Sequence, residues 1–495
     1  MLIPRALIRD GRARVTPVTA PARDVTPGSA LVEVRDSAWF ADLREREFSR
    51  LDQSGDAYLD YTGSALYAES QVRRHMEYLL CAVLGNPHSE NTASLRSTTL
   101  IEQARSATLA FFSADPSEYD VVFTANATGA MRLVGEGFPF GRGSRFVLSA
   151  DNHNSINGIR ELAVVRGAEV SYAGLDDGLR LEMSRDLLPS VQAPSLFAFP
   201  AQSNFSGVQH PLGLIDAAQH ARYTVLLDAA AYVPSSPLRL DLVRPDFVAV
   251  SFYKMFGYPT GVGALIARRD ALAALERPWF SGGTVEFVSV QHRTHVLKAG
   301  VEGFEDGTPN FTAFAALPAG FALLGEIGMD HVKRHVSRLT TRLLAELSAL
   351  RHPNGRAMVR IYGPTESGER GGTVTFNVQD ALGRVVPYQR VESLALDQRV
   401  SVRGGCFCNP GAAERAFAFP ASQSAACMQR ARLEGFSVER FAECLGDDTA
   451  VGAVRASLGV PSNERDIERL IDVVAAVAAD PSLQSRGRGR DLSKS

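Results

Sequence analysis

The chain has 495 residues, of which 45% are hydrophobic and 22% charged, and its formal net charge is −3. This length exceeds one small domain and allows two substantial cores. The small net charge gives no electrostatic footprint for nucleic acid, and no apolar run reaches the roughly 18 residues that a membrane span needs. The polar start lacks the apolar core of a secretory signal, so we expect a cytoplasmic protein without membrane or nucleic-acid partners.

The first 310 residues predict an arm and a large domain. Residues 1–55 read as an irregular arm followed by a helix over residues 36–51. Residues 56–310 alternate short apolar strands with helices, a pattern typical of an α/β domain with a mainly parallel, seven-stranded type of sheet. The predicted strands of this domain are 121–123, 145–148, 169–172, 195–199, 224–227 and 247–250.

The regular alternation of predicted strands and helices stops after residue 310. Residues 311–480 predict a smaller α+β domain that opens with a long helical segment broken near Gly328. Its predicted strands are 358–361, 372–378 and 401–402, and residues 412–450 read as mostly helical. The Arg/Gly-rich residues 481–495 predict a disordered tail, and we expect no room for a further domain.

A turn rich in small residues follows the strand at 121–123. Residues 124–130 open a helix, and Ala127 and Thr128 stand at its start. Small residues let the backbone approach a ligand closely, and the N-terminus of a helix favours an anion. The turn therefore predicts a phosphate cradle, although an N-capped helix without a ligand has the same pattern.

Two later strands end in groups that suggest chemistry. Asp228 ends a buried strand, where a carboxylate needs a cationic or hydrogen-bonding partner. Lys254 follows the next strand in the run Ser251-Phe252-Tyr253-Lys254, and an apolar setting lowers the pKa of an amine and makes it a better nucleophile. A capping Asp and a surface Lys are the alternatives for each residue taken singly.

The order of these motifs resembles the class V aminotransferase superfamily of pyridoxal-phosphate (PLP) enzymes, which have fold type I. The resemblance implies PLP as the cofactor, bound to Lys254 as a Schiff base, with Asp228 at the pyridine nitrogen and Ser251 and Tyr253 beside the cofactor. It further implies that His153 stacks on the ring and acts in catalysis. It places Asn204 beside the ring hydroxyl and the substrate, and Thr284 at the phosphate of the partner subunit in a homodimer.

Within this superfamily the chain looks most like cysteine desulfurases and the aminotransferase-like domain of molybdenum cofactor sulfurase. The segment Arg403-Gly404-Gly405-Cys406-Phe407-Cys408-Asn409-Pro410-Gly411 resembles their cysteine loop, in which the nucleophile lies five residues after an Arg. That offset selects Cys408. The resemblance implies a desulfurase-like sulfurtransferase that converts L-cysteine to L-alanine and leaves a persulfide on Cys408 for an unknown acceptor. It also implies that Arg455 and Arg403 bind the substrate carboxylate, a task that suits a guanidinium.

Some features leave alternatives open. Tyr253 and Ala231 stand where many desulfurases have His and Gln. Strand alternation would point Cys406 and Cys408 the same way, so Cys406 is a possible resolving partner, while a packed or metal-binding pair is the alternative. We expect no metal site, because the pair lacks further Cys or His partners. The odd count of five cysteines argues against a disulfide framework, and Cys81, Cys427 and Cys444 are predicted to be structural.

Other outcomes of PLP chemistry would not need Cys408. A C–S lyase, an epimerase or a transaminase is the alternative function, and a scaffold without catalysis is a third. Glycines around Cys408 suggest a loop that carries the thiol to the cofactor and then swings it toward a recipient.

Overall fold

A computed structural model describes residues 35–182, 187–446 and 450–480. The predicted arm at residues 1–34 and the predicted tail at residues 481–495 lie outside the described residues. The strands, in chain order, are β1 Ala57–Tyr58, β2 Tyr119–Thr124, β3 Arg145–Ser149, β4 Glu169–Ala173, β5 Leu196–Pro200, β6 Thr224–Asp228, β7 Phe247–Ser251, β8 Gly263–Arg268, β9 Val285–Ser289, β10 Thr294–Leu297, β11 Val359–Tyr362, β12 Thr373–Val378, β13 Val400–Ser401, β14 Arg403–Gly405 and β15 Ala453–Ser457.

Helices fill most of the remaining described chain. In order they are α1 Ser37–Phe48, α2 Arg50–Ser54, α3 Glu69–Cys81, α4 Thr92–Phe111, α5 Ala127–Gly137, α6 Asn154–Asn157, α7 Ile159–Val165, α8 Leu214–His220, α9 Phe252–Phe256, α10 Arg269–Ala273, α11 Leu317–Ile327, α12 Met329–Ala349, α13 Tyr388–Asp397, α14 Pro410–Ala416, α15 Ala421–Glu434, α16 Val438–Leu445 and α17 Glu464–Ala479. Short 3₁₀ helices cover Gly300–Gly303, Ala313–Ala316 and Ser367–Glu369.

A seven-stranded sheet forms the centre of the large domain. Its strand order is β2-β8-β7-β6-β5-β3-β4, and β8 runs antiparallel to both of its neighbours while the other pairs are parallel. Every residue of β5 and β7 is buried, because helices cover both faces of the sheet and the strands need apolar side chains on both sides. The predicted fold class, a mainly parallel α/β sheet of PLP fold type I, is confirmed.

A second, smaller sheet lies later in the chain. Its order is β11-β12-β15-β14, and all of its pairs are antiparallel. All strands of the large sheet precede residue 310 and all strands of this sheet follow it. The exact domain boundaries remain a prediction. The short strand β1 pairs in parallel with β13 and so joins the two parts of the chain.

The predicted helices differ from the observed ones mainly at their ends. The single helix expected over residues 36–51 is two, because α1 ends at Phe48 and α2 begins at Arg50. The expected break near Gly328 is confirmed, since this residue has φ 79° and separates α11 from α12. Within the described residues no single helix is long and apolar enough to cross a bilayer. Only Ala313–Ile327 and Met329–Ala349 taken together meet that criterion, and this pair is bent by 69°.

Two expectations for the cysteines were wrong. Cys427 of α15 and Cys444 of α16 form a disulfide, with their Cα atoms 5.8 Å apart. The odd cysteine count could not reveal this bond, because it depends on the two helices folding against each other. Cys81 was predicted to be structural, yet it is exposed at the end of α3, so packing does not account for it.

Candidate active site

The candidate site lies where several strands of the large sheet end at one edge. Gly263 begins β8 and pairs with Thr124 at the end of β2 on one side and with Ser251 at the end of β7 on the other. A Cβ on Gly263 would lie 2.6 Å from backbone atoms of Asn126, so only glycine lets the turn after β2 pack against β7. Parallel strands β5 and β6 end at the same edge. Ligands in open α/β sheets bind at such an edge.

Lys254 follows β7 within the short helix α9. That helix ends at Phe256 and is capped by Gly257, whose φ is 77°, and a Cβ on Gly257 would meet the backbone of Tyr67 at 2.2 Å. The chain around Tyr67 therefore closes tightly over the helix that carries the lysine. Burial lowers the pKa of the Lys254 amine; Arg455 acts in the same direction and Asp228 opposes it. A lowered pKa leaves more of the amine neutral and nucleophilic near pH 7.

Asp228 and His153 stand near this amine. Asp228 is 7% exposed at the end of β6, and its Oδ1 accepts a hydrogen bond from Ala230 N at 3.0 Å. Burial lowers the pKa of His153, and Lys254 adds to this shift while Asp228 opposes it. Ser155 N donates to His153 Nδ1 at 3.1 Å, so the proton of the neutral ring belongs on Nε2. An uncharged imidazole suits the stacking role predicted for His153.

The first turn of α5 forms the predicted phosphate end. Ala127 N donates to Ser251 Oγ at 2.8 Å, and Thr128 Oγ1 lies 2.8 Å from Ser155 Oγ. Ser251 therefore ties the turn to the end of β7. Burial raises the pKa of Tyr253, so its phenol keeps a proton that it can donate to an anion. The positive end of the helix macrodipole adds to this preference for negative charge.

These groups surround one cleft with about 620 Å³ of empty space. Its lining comprises Asn126, Ala127, Thr128, Met131, His153, Ser155, Pro200, Gln202, Asn204, Asp228, Ala230, Ala231, Ser251, Tyr253 and Lys254. PLP requires an amine for its aldehyde, a carboxylate for its pyridinium nitrogen and donors for its phosphate. The cleft offers all three and adds a neutral imidazole, so its residues fit PLP.

Two arginines and one carboxylate form a cluster beside the cleft. Arg403 of β14 stands opposite Arg455 of β15 in the antiparallel register, a placement that is unfavourable for like charges. Asp60 bridges them: Arg403 Nη2 donates to Asp60 Oδ2 at 2.7 Å and Arg455 Nη2 donates to Asp60 Oδ1 at 3.1 Å. Arg455 is 3% exposed, and in the described part of the chain its Nε has no hydrogen-bond partner. The cluster keeps one net positive charge, which suits a single substrate carboxylate.

Asn204 connects the cleft to residues 406–409, the part of the predicted segment 403–411 that carries both thiols and is here named the cysteine loop. Its Nδ2 donates to Phe407 O at 2.7 Å, and its Oδ1 accepts from Asn409 Nδ2 at 3.0 Å. Its backbone carbonyl accepts from Arg455 Nη1 at 2.9 Å. Asn204 thus lines the cleft as predicted, but its amide is engaged with the cysteine loop, a contact that the sequence did not indicate.

Cys406 and Cys408 have different environments. The strand ends at Gly405, and both Phe407 and Cys408 have left-handed backbone, with φ 57° and 58°. The alternation that would point both thiols the same way therefore does not apply. Cys406 is partly buried and its Sγ donates to Val451 O at 3.2 Å, whereas Cys408 is exposed.

The thiol of Cys406 is a poor nucleophile. Burial, reinforced by Cys408, raises its pKa to about 11, so almost none of it is thiolate at neutral pH. Among the described residues no group of three or more His, Cys, Asp or Glu side chains could hold a metal ion. The cysteine loop therefore presents Cys408 as its available thiol.

Thr284 lies apart from the cleft. Its side chain is fully buried in its own turn, where its Oγ1 accepts from Ser281 N at 3.0 Å and donates to Ser281 O at 2.9 Å. The predicted contact with a partner subunit's phosphate is not tested by a single chain.

Sequence reasoning missed several residues of this region. Asp60 was given no role by the sequence, and Gln202 and Ser155 line the cleft without having been named as site residues. Asn409 holds the cysteine loop, and only its position next to Cys408 could have drawn attention to it. Asp60 and Asn409 gain their roles from partners far away in the sequence.

The sheet and the cleft together define an enzyme-like fold of PLP fold type I. A family model described as Aminotransferase class-V matches residues 57–470. The chain belongs to this class V aminotransferase family.

The chain is similar to molybdenum cofactor sulfurases in sequence and to a cysteine desulfurase in structure. The chain is 36% identical over 459 residues to the molybdenum cofactor sulfurase of Bos taurus, covering 88% of this chain and 51% of that protein. It is 35% identical over 469 residues to the Homo sapiens molybdenum cofactor sulfurase, covering 90% and 52%. The apo structure of a cysteine desulfurase from Thermococcus onnurineus NA1 superposes with a TM-score of 0.72 at 26% identity, covering 88% of this chain and 97% of that one. The chain spans about half the length of these curated relatives.

Proposed function

We propose that the chain is a PLP-dependent cysteine desulfurase-like sulfurtransferase that acts on L-cysteine. One contact carries the proposal: Asn154 N, next to His153, donates to Cys408 O at 2.7 Å. It holds the one available thiol of the loop beside the PLP-type cleft. The likeness to molybdenum cofactor sulfurases and to a cysteine desulfurase supports the same activity.

Each residue has a distinct task in this reaction. PLP, when bound, withdraws electrons from an amino acid and weakens its Cβ–S bond. Lys254 would hold the cofactor through its amine, whose pKa is lowered by burial, and Asp228 would face the pyridine nitrogen and favour its protonated form. Arg455 receives the substrate carboxylate, for which its buried Nε, without a hydrogen-bond partner among the described residues, is a ready donor.

Cys408 accepts the sulfur. Its thiolate attacks the substrate sulfur, an S–S bond forms and the Cβ–S bond breaks, and Cβ takes a proton. L-cysteine and the enzyme thiol thus become L-alanine and the enzyme persulfide. A second thiol can then take the outer sulfur and regenerate Cys408.

The test uses purified protein, PLP and L-cysteine, with alanine and protein-bound persulfide assayed together. We expect one persulfide per active site, located on Cys408 by mass spectrometry. The Cys408→Ala variant should lose the persulfide and keep the absorbance of bound PLP, whereas Cys406→Ala should retain most activity. Pyruvate as the product, without persulfide, would instead favour the C–S lyase alternative.

We also propose a homodimer. The support is a set of exposed apolar side chains on both sides of the turn at Thr284: Trp279, Phe280, Phe287, Val288 and Val290. Exposed apolar surface of this kind marks interaction sites. Light scattering should give twice the chain mass at assay concentration, and an active monomer would contradict the proposal.

A further inference from the structure

The cysteine loop has a backbone that would not persist without support. Phe407 and Cys408 are consecutive non-glycine residues with left-handed φ, a conformation that L side chains rarely adopt. Both of their carbonyl groups are bonded to the large domain, Phe407 O to Asn204 Nδ2 and Cys408 O to Asn154 N, each at 2.7 Å. These bonds hold a strained segment in one place.

Asn409 makes the densest set of these contacts. Its side chain is fully buried. Its Nδ2 lies 2.9 Å from Asp151 O, 2.8 Å from Asp151 Oδ1 and 3.0 Å from Asn204 Oδ1. Its Oδ1 accepts from Ala412 N at 3.2 Å and so caps α14. One side chain thereby anchors the residue after Cys408 to the segment that carries His153.

Asp151, which accepts hydrogen bonds from Asn409 Nδ2, is itself held in place. Asp151 is fully buried, and its Oδ2 lies 2.8 Å from His210 Nε2 while its Oδ1 accepts from Ser203 Oγ at 2.7 Å. A buried carboxylate with several partners has little freedom to follow a moving loop, because each lost bond would leave a buried polar group unsatisfied.

Two of the three glycines near Cys408, Gly404 and Gly411, serve close packing. A Cβ on Gly411 would lie 2.1 Å from Ala150 O, and one on Gly404 would lie 2.2 Å from the ring of Tyr388. These residues are glycine because there is no space for a side chain. The surroundings of Gly404 and Gly411 do not favour mobility, whereas Gly405 has φ 114° and open space where a Cβ would stand.

We propose that Asn409 is a latch that keeps the cysteine loop closed, so that Cys408 receives and passes on sulfur from its place beside the cleft. The second part rests on the proposed function. The acceptor thiol must then come to Cys408, which is exposed, and a small or extended acceptor is favoured over one that requires the loop to swing outward. Asn409 acts as a positioning residue, since it acts through the backbone of Cys408.

Two variants separate the latch from the helix cap. Asn409→Ala removes both the hydrogen bonds of Nδ2 to Asp151 and Asn204 and the cap of α14 by Oδ1. Asn409→Asp keeps an oxygen for Ala412 N but replaces the donor with a carboxylate oxygen facing Asp151. We expect amide hydrogen exchange across residues 406–409, and at Asn154, to become about tenfold faster in both variants, because a buried bonded donor is lost in each. Asn463→Ala, which removes the N-cap of α17 (Asn463 Oδ1 accepts from Asp466 N), should leave this exchange unchanged.

Exchange is measured on the full chain with PLP, without L-cysteine, so the result does not depend on desulfurase activity. Equal exchange in wild type and Asn409→Asp, at wild-type stability, would overturn the latch. With L-cysteine, Asn409→Asp should lower kcat about tenfold and leave KM unchanged, since Arg455 is untouched. Loss of loop protection in the wild-type persulfide form would overturn delivery from the closed loop. Absence of any persulfide would refute the proposed function. The latch would then be tested only by the exchange measured with PLP and without L-cysteine.

Discussion

The charge cluster beside the cleft predicts a large effect for one substitution, Asp60→Asn. The carboxylate of Asp60 is the shared partner of Arg403 and Arg455, which stand opposite each other on neighbouring strands. Asparagine keeps the size of the side chain and removes its charge. The two guanidinium groups would then face each other without neutralisation, and Arg455 is almost fully buried.

The magnitude follows from the geometry. Unit charges 3.1 Å apart attract by about 5 kcal/mol at an effective dielectric constant of about 20. Removing one partner of a buried pair costs roughly 3–5 kcal/mol. Arg403 has a side chain that is 51% exposed, and Arg455 keeps the Asn204 carbonyl and the Phe407 ring, which lies 4.7 Å from its guanidinium. We therefore expect a loss of about 2–4 kcal/mol in the free energy of unfolding.

The assay is urea unfolding of the PLP-bound protein, with Asp52→Asn as the matched control. Asp52 also pairs with a buried arginine, Arg44, but it is 52% exposed and Arg44 retains Asp466, so the control should lose less than about 1 kcal/mol. Formate should restore part of the stability of Asp60→Ala by occupying the vacated carboxylate position. Equal stability of Asp60→Asn and Asp52→Asn, with no response of Asp60→Ala to formate, would refute the role assigned to Asp60.

Three further predictions concern the lysine and the cysteines. Because the pKa of Lys254 is lowered in the folded protein, unfolding of the PLP-free protein takes up a proton at pH values between that pKa and the ordinary 10.5. The free energy of unfolding of the wild type should therefore rise with pH across this window, and the extra stability of Lys254→Met over the wild type should shrink. A pH-independent difference between the two proteins in urea unfolding would contradict this. Because the pKa of Cys406 is about 11, iodoacetamide at pH 8 should label Cys408 much faster than Cys406 by mass spectrometry, and equal rates would count against the burial argument. Replacing Cys427 and Cys444 by Ser removes a disulfide that closes a loop with a sequence separation of 17, so it should destabilise the α15–α16 hairpin by about 3 kcal/mol. The expected result is faster proteolysis of this hairpin with PLP binding unchanged. Unchanged proteolysis would mean that the disulfide contributes little to stability.

The cofactor end of the site could be predicted from the sequence because its signals are local. Asp228 and Lys254 each follow a short apolar strand, and the turn at Ala127 follows another. The ends of parallel strands converge on one edge of a sheet whatever the rest of the fold does, so three separate local patterns sufficed to place an amine, a carboxylate and the turn predicted to bind phosphate together. The family resemblance added the offset that selects Cys408.

The surroundings of Cys408 depended on the tertiary structure. Asp60 meets Arg403 across 343 residues and Asn409 meets Asp151 across 258, and no local pattern encodes such pairings. The pairing of β14 with β15 sets Arg403 opposite Arg455, and the fold of α15 against α16 joins two cysteines that composition had left unpaired. Gly404 and Gly411, which had suggested a mobile loop, are sites of close contact, because the space around a Cα is set by residues distant in the sequence. The sequence thus determined the chemistry available at the cleft, while the long-range packing decided how firmly the thiol is held beside it.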